Sequence, residues 1–273
     1  MTFEEYISHP ATTDDGEPTL LIGNEGRFDE DGHLRTVADR MVEACKGQHL
    51  TVGTPAETVA EVIGLTHDIA KLTRWAQKHL RNQPFQHGDE YRYHAFPSAL
   101  VTLYCLLECH ENVSKHADKM ATLVVAGHHD TRSPPEPSKL AENYGRTTDE
   151  VRETYKRVNN QLNNIDDEVS ERADRIISAA TDGDGSWDKF LAWHNDRTEP
   201  ISGTHDHLIY FAQMGERKPK TGEYSDVVRL WTALKFADQT AASGLEDDDI
   251  GGKLPERDAL DDHVADLDEG EGI

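Results

Sequence analysis

The chain has 273 residues, 36% of them hydrophobic, and a formal net charge of −24. That length favours one large domain, or one domain plus appendages, with a sizeable core. The charge argues against spontaneous capture of nucleic acid, and no run approaches the ~18 apolar residues of a membrane span.

Acidic clusters such as Asp29-Glu30-Asp31, Asp166-Asp167-Glu168 and Asp247-Asp248-Asp249 are spread along the whole length. The pattern reads as a surface adapted to concentrated salt, where screening relieves self-repulsion. The three cysteines, Cys45, Cys105 and Cys109, form no Cys-x-x-Cys pair. That fits a reducing cytosol and excludes a disulfide framework. Residues 1–5 lack the basic and apolar regions of a signal peptide, so a cytoplasmic protein without a membrane anchor is expected.

Residues 1 to about 32 read as irregular, with a short strand at Leu20-Leu21-Ile22. Helical periodicity begins at His33, with Leu34, Val37, Ala38, Met41 and Val42 recurring at three and four. Thr54-Pro55 reads as an N-cap followed by a first-turn proline, and the helix it opens ends before His67. One continuous helix is predicted from about Asp68 to Leu80, and a longer one from about His94 to His110. Another, from about Ala117 to Gly127, delivers His128-His129. Ser133 to Pro137 is a loop. Further helices are expected in the charged stretch from 139 to 180, at Trp187 to Trp193, near Asp206 to Met214 and from Asp226 to Ser243. Beyond Gly244 the chain has too little apolar surface to offset ordering entropy and reads as a disordered acidic tail. The fold class is all-α. The division expected is a domain over 1–245, with about 139–204 a helical insert packed on it, and a tail or linker over 246–273.

Ligand-type residues sit at the edges of these apolar patterns: His33, the pair His67-Asp68, His94, the pair His128-His129, and Asp238. Imidazole suits Zn, Fe, Ni, Co and Mn, and carboxylate shifts the preference toward harder ions such as Mn and Mg. Five histidines with two aspartates exceed one tetrahedral site. They suit two divalent ions about 3.5–4 Å apart, a pair able to clamp a phosphoryl oxygen and activate water. Asp238 lies within an apolar helix pattern, where an unpartnered carboxylate is costly. His205-Asp206-His207 repeats the dipeptide without companions in the right order. Lys71, Arg74, Lys78 and Arg81 recur on one face of the expected helix, with Trp75 beside them. They read as a phosphate track with a base-stacking platform on an acidic protein. A solvated basic face over a core tryptophan is the structural alternative. Phosphate-binding loops, dinucleotide fingerprints, nucleophile elbows and zinc-finger spacings are absent from the sequence.

The order His33, His67-Asp68, His94, His128-His129, Asp238 resembles the HD superfamily of metal-dependent phosphohydrolases. It is most similar to the HD nuclease domain of the signature helicase–nuclease of type I CRISPR interference. His33 to Ala38 resembles the opening helix of that family. His67 to Lys71 with Trp75-Ala76-Gln77 resembles its central motif, and His128-His129 with Asp238 its later ligands. The resemblance covers about residues 20 to 245, with Ala70 standing where glycine is common and no match over about 139–204. It implies an HD-type helical bundle with a dinuclear site. His33, His67, Asp68 and Asp238 would hold one ion. Asp68, His94, His128 and His129 would hold the other, and Lys71 would face the scissile phosphate. It also implies cleavage of single-stranded DNA supplied by a helicase subunit or domain and by the CRISPR surveillance complex. Two other readings stay open: an HD phosphohydrolase acting on nucleotides or cyclic nucleotides, and an inactive docking subunit for a helicase.

Overall fold

A computed structural model describes residues 7–9, 19–20, 32–80, 94–114, 116–129, 134–135, 149–150, 153, 162, 167–198 and 221–243. Eight α-helices make up most of these residues: α1 His33–Ala44, α2 Ala56–Thr66, α3 Arg74–Leu80, α4 Ala95–Cys109, α5 Ala117–Ala126, α6 Asp167–Ala180, α7 Trp187–Thr198 and α8 Thr221–Ser243. The fold is all-α. Among the described residues it also carries a two-stranded ribbon, β1 Ile7–His9 antiparallel to β2 Thr19–Leu20, which touches α3. The expected strand at Leu20 is therefore half of a hairpin, and its continuation to Ile22 lies outside the described residues.

The bundle is assembled around α2. Helices α1 and α4 pack on either side of it, α5 lies against α4, and α8 runs along α1 and α5. The apolar spacing read from the sequence is the spacing buried: Leu34, Val37, Ala38 and Met41 of α1 face Val59, Ala60, Val62 and Ile63 of α2. Each such side chain contributes about 1.5–3 kcal/mol when fully withdrawn from water. At the closest approach Gly64 of α2 lies against the backbone of Ala38.

Helices α6 and α7 come from the segment expected as an insert. They pack on α2 and α4, and Ile176, Ile177, Trp187, Phe190 and Trp193 join the same apolar cluster as the ligand-bearing helices. His194 is buried and stacked on Phe190.

Two boundaries differ from expectation. Helix α2 starts at Ala56 with Pro55 at the cap and no side-chain cap bond. The Thr54 hydroxyl instead accepts the Ser114 N–H at 3.2 Å, tying this turn to the approach of α5. The single helix expected from Asp68 to Leu80 is broken. A 3-10 turn, Ile69–Leu72, is followed by Thr73 in extended conformation, and α3 begins anew at Arg74. The Thr73 hydroxyl donates to the Ala70 carbonyl at 2.8 Å and accepts the Ala76 N–H at 3.4 Å, closing one element and capping the next. The expected helix near Asp206 to Met214, the His205-Asp206-His207 cluster, the helices between 139 and 148 and the acidic tail lie outside the described residues. Among the described residues, no helix is long and apolar enough to cross a membrane.

Candidate metal centre

His67 and Asp68 stand where α2 ends. His67 keeps helical dihedrals, whereas Asp68 (φ −116°, ψ 9°) has already left the helix. This bend aims two consecutive side chains into one buried volume. A helix end leaves backbone carbonyls without helical partners, and His67 uses one. Its Nδ1–H donates to the Gly64 carbonyl at 2.9 Å. His128 repeats the arrangement at the end of α5, where Nδ1–H donates to the Val125 carbonyl at 2.6 Å. A carbonyl can only accept, so the proton sits on Nδ1 of both rings and Nε2 carries the lone pair inward.

Asp68 is the hub. Its Oδ1 lies 3.1 Å from His94 Nε2 and 3.4 Å from His128 Nε2. Its Oδ2 lies 3.4 Å from His67 Nε2 and 3.7 Å from His33 Nε2. Asp238 comes in from α8, with Oδ1 3.1 Å from His33 Nε2 and 3.7 Å from His67 Nε2. His129 reaches the other side, its Nε2 2.5 Å from His94 Nε2. The structure thus brings all seven sequence-selected residues together in two groups that share Asp68. One is His33, His67, Asp68 and Asp238; the other is Asp68, His94, His128 and His129.

The donor set fits divalent ions. Ligands held about 2.1 Å from one ion stand roughly 3–4 Å from each other, and the carboxylate-to-imidazole separations here are 3.1–3.7 Å. Among the described residues the buried Nε2 atoms of His67 and His128 have no hydrogen-bond partner, although both point into the cluster. Each group offers imidazole nitrogen with carboxylate oxygen, the mixture suited to Mn, Co, Ni, Fe or Zn.

Protonation follows from burial and mutual charge. Burial lowers the affinity of His33 for a proton, and brings His94 down to about 4. Burial and the neighbouring His128 and His94 rings lower His129 as well. Burial opposes a proton on His67 too, but Asp68, Asp238 and the Gly64 carbonyl outweigh it and raise that ring. Burial pushes the Asp68 carboxyl up, yet Lys71 and the surrounding imidazoles more than compensate and hold it well below the ordinary carboxylate range. Asp238 is held low in the same way by His33 and His67. Ionised carboxylates among mostly neutral imidazoles are the state that metal binding requires.

Lys71 sits in the 3-10 turn, buried, with Nζ 2.6 Å from Asp68 Oδ2. Gln77, also buried, donates from Nε2 to the Lys71 carbonyl at 2.7 Å and fixes the turn from below. The helix expected to carry the basic stripe is interrupted at Thr73. A 3-10 turn and a separate helix do not continue one face, so Lys71 serves the carboxylate cluster while Lys78 lies half-buried on α3. Arg74 and Trp75 belong to α3, their side chains lie outside what is described, and Arg81 lies wholly outside it.

Three contributors carry no motif in the sequence. Gly64 supplies the His67 carbonyl and the close contact with α1. Thr73 sets the break. Ser98, one turn beyond His94, accepts the Ala70 N–H at 3.1 Å and joins α4 to the turn after Asp68. A threonine ahead of a new helical run was a readable cap signal for Thr73; the other two act through tertiary contacts.

A protein of known kind can now be set beside this geometry. The chain is similar to the CRISPR-associated nuclease/helicase Cas3 of Haloferax volcanii. The two are 23% identical over 279 residues, which cover 98% of this chain and 28% of that relative. The chain therefore spans little more than a quarter of the length of the Cas3 it matches. No family model matches the sequence, and no solved structure matches it.

Proposed function

We propose that this chain is a metal-dependent nuclease of the HD type that cuts single-stranded DNA in type I CRISPR interference, with its nuclease domain within residues 1–245. The observation that carries the reading is Asp68. One buried carboxylate gives one oxygen to each of two imidazole groups, the arrangement of a bridging ligand between paired ions. The similarity to Cas3 supports the choice of substrate and setting.

When bound, two divalent ions would supply Lewis acidity and a nucleophilic water at neutral pH. The chain's own residues do the rest. His67 and His128 present Nε2 inward because their helices hold Nδ1. Asp68 and Asp238 bring negative charge that offsets the charge of the cations. Lys71 holds Asp68 in place and stands close enough to the cluster to balance phosphate charge.

The partners of this reading are a helicase subunit or domain and the CRISPR surveillance complex. With about four phosphate contacts and a slope near −0.7 per phosphate, a tenfold rise in salt costs roughly 10³ in single-strand binding. An acidic chain (net −24) working in strong salt needs its strand delivered.

The test is incubation with circular single-stranded DNA, duplex DNA and free nucleotides, with Mn, Mg, Co or Ni ions or with chelator. Cleavage of the circle that needs metal and disappears in Asp68→Ala supports the reading. Hydrolysis confined to free nucleotides points to a nucleotide phosphohydrolase. No hydrolysis under any ion points to a docking subunit.

A further inference from the structure

We propose that Asp226 is a positioning residue, whose buried contact with the α1–α2 loop sets the register of α8 and so the placement of Asp238. The inference rests on the metal reading above and concerns one of its two groups.

Helices α1 and α8 lie side by side and are pinned at both ends. At one end His33, the first residue of α1, meets Asp238 near the end of α8. At the other, the loop after α1 meets the start of α8, so the two helices run antiparallel. Asp226 is 1% exposed there. Its Oδ2 accepts the Thr51 N–H at 2.6 Å, and its Oδ1 lies 3.3 Å from Arg229 Nη1. Arg229 also donates to the Gln48 side-chain oxygen, and Gln48 donates in turn to the Ala44 carbonyl at the end of α1 at 3.1 Å. The Thr51 hydroxyl donates to the Gly222 carbonyl at 3.1 Å.

Between these ends Val37 and Met41 of α1 and Leu230 and Leu234 of α8 belong to one apolar cluster. Apolar burial is not directional and resists axial slip weakly, whereas a hydrogen bond fixes atoms to a few tenths of an ångström. A buried ion pair is a poor source of stability, because desolvation offsets its attraction; its best-attested use is to specify register. Here the polar cluster sits where register can be set. Asp238 lies twelve residues on, about 18 Å along the helix. A slip of one residue would turn the Asp238 carboxylate by about 100° about the helix axis and shift it by about 1.5 Å along that axis. The group of Asp68, His94, His128 and His129 takes no side chain from α8.

The experiment is calorimetric titration of the full chain with Mn²⁺, with Asp238→Ala identifying which ion belongs to the α8 group. In Asp226→Leu that ion should bind about 10–100-fold more weakly, as on loss of a supporting residue around a metal site, with the other ion unchanged. Asp226→Asn, which keeps an oxygen for the Thr51 N–H, should retain both. Arg229→Met, which cuts the tie to Gln48, should weaken the same ion and covers the case of a leucine variant that does not fold. Equal weakening of both ions in the folded variants, or of neither, overturns the proposal alone. A parental chain that binds no ion overturns the metal reading together with it.

Discussion

Gly64 packs against the backbone of Ala38 so closely that a β-carbon on it would lie 2.3 Å from the Ala38 Cα. The same glycine offers its carbonyl to His67. Helices α1 and α2 approach at this point because neither has a side chain there larger than a methyl.

Gly64→Ala should force the two helices apart. Neither backbone can yield without moving its helix, so the cost is that of overpacking, about 1–3 kcal/mol or more. A lower denaturant midpoint is expected, with weaker binding of the ion that His33 and His67 would share. An unchanged midpoint would show that the helices have room to spare.

Asp68 serves both groups and Asp238 only one. Asp68→Ala should therefore abolish binding of both ions, whereas Asp238→Ala should leave one. Metal content after gel filtration reads the difference directly. Retention of two ions by Asp68→Ala would remove the bridging role.

Lys71 is 4% exposed and paired to Asp68 at 2.6 Å. Breaking a buried pair by removing one partner costs about 3–5 kcal/mol. Lys71→Met should therefore melt earlier in chelator. Added Mn²⁺ should narrow the gap, because a cation then stands beside the carboxylate. A gap that is the same with and without ions would mean that Lys71 matters through packing alone.

Cys45 gives the chain an alkaline limit away from the centre. Burial pushes its thiol up from 9.0 to about 11, with Arg229 opposing and Glu57 adding to the shift. The folded chain holds this proton where the unfolded chain has released it. The stabilisation is complete below pH 9 and is lost as pH rises through 11, amounting to about 3 kcal/mol. Urea unfolding from pH 8 to 11 should show this decline in the parental chain and a flatter profile in Cys45→Ala. Parallel profiles would reject it.

The donor residues were legible because each falls at an edge of an apolar pattern with a 3.6-residue period. Once the helices pack on that pattern, His33, His67, His94 and His128 are delivered to one end of the bundle, and Asp238 follows from the apolar phase of α8. The cap signal at Thr73 was outweighed in the sequence, because Ile69, Leu72 and Ala76 keep helical spacing across the break while the threonine hydroxyl redirects the chain. Gly64, Ser98 and Asp226 were hidden for another reason. Their partners Ala38, Ala70 and Thr51 are brought to them by tertiary packing. In the segment read as an insert, Phe190 and Trp193 seat against Tyr104 of α4, and Trp187 against Phe190.

The rings of His67 and His128 are steadied by carbonyls of the helices that bear them. Their aim is thus inherited from the interior and owes nothing to outward-facing side chains. Substitutions on the exterior therefore leave the orientation of these two rings untouched.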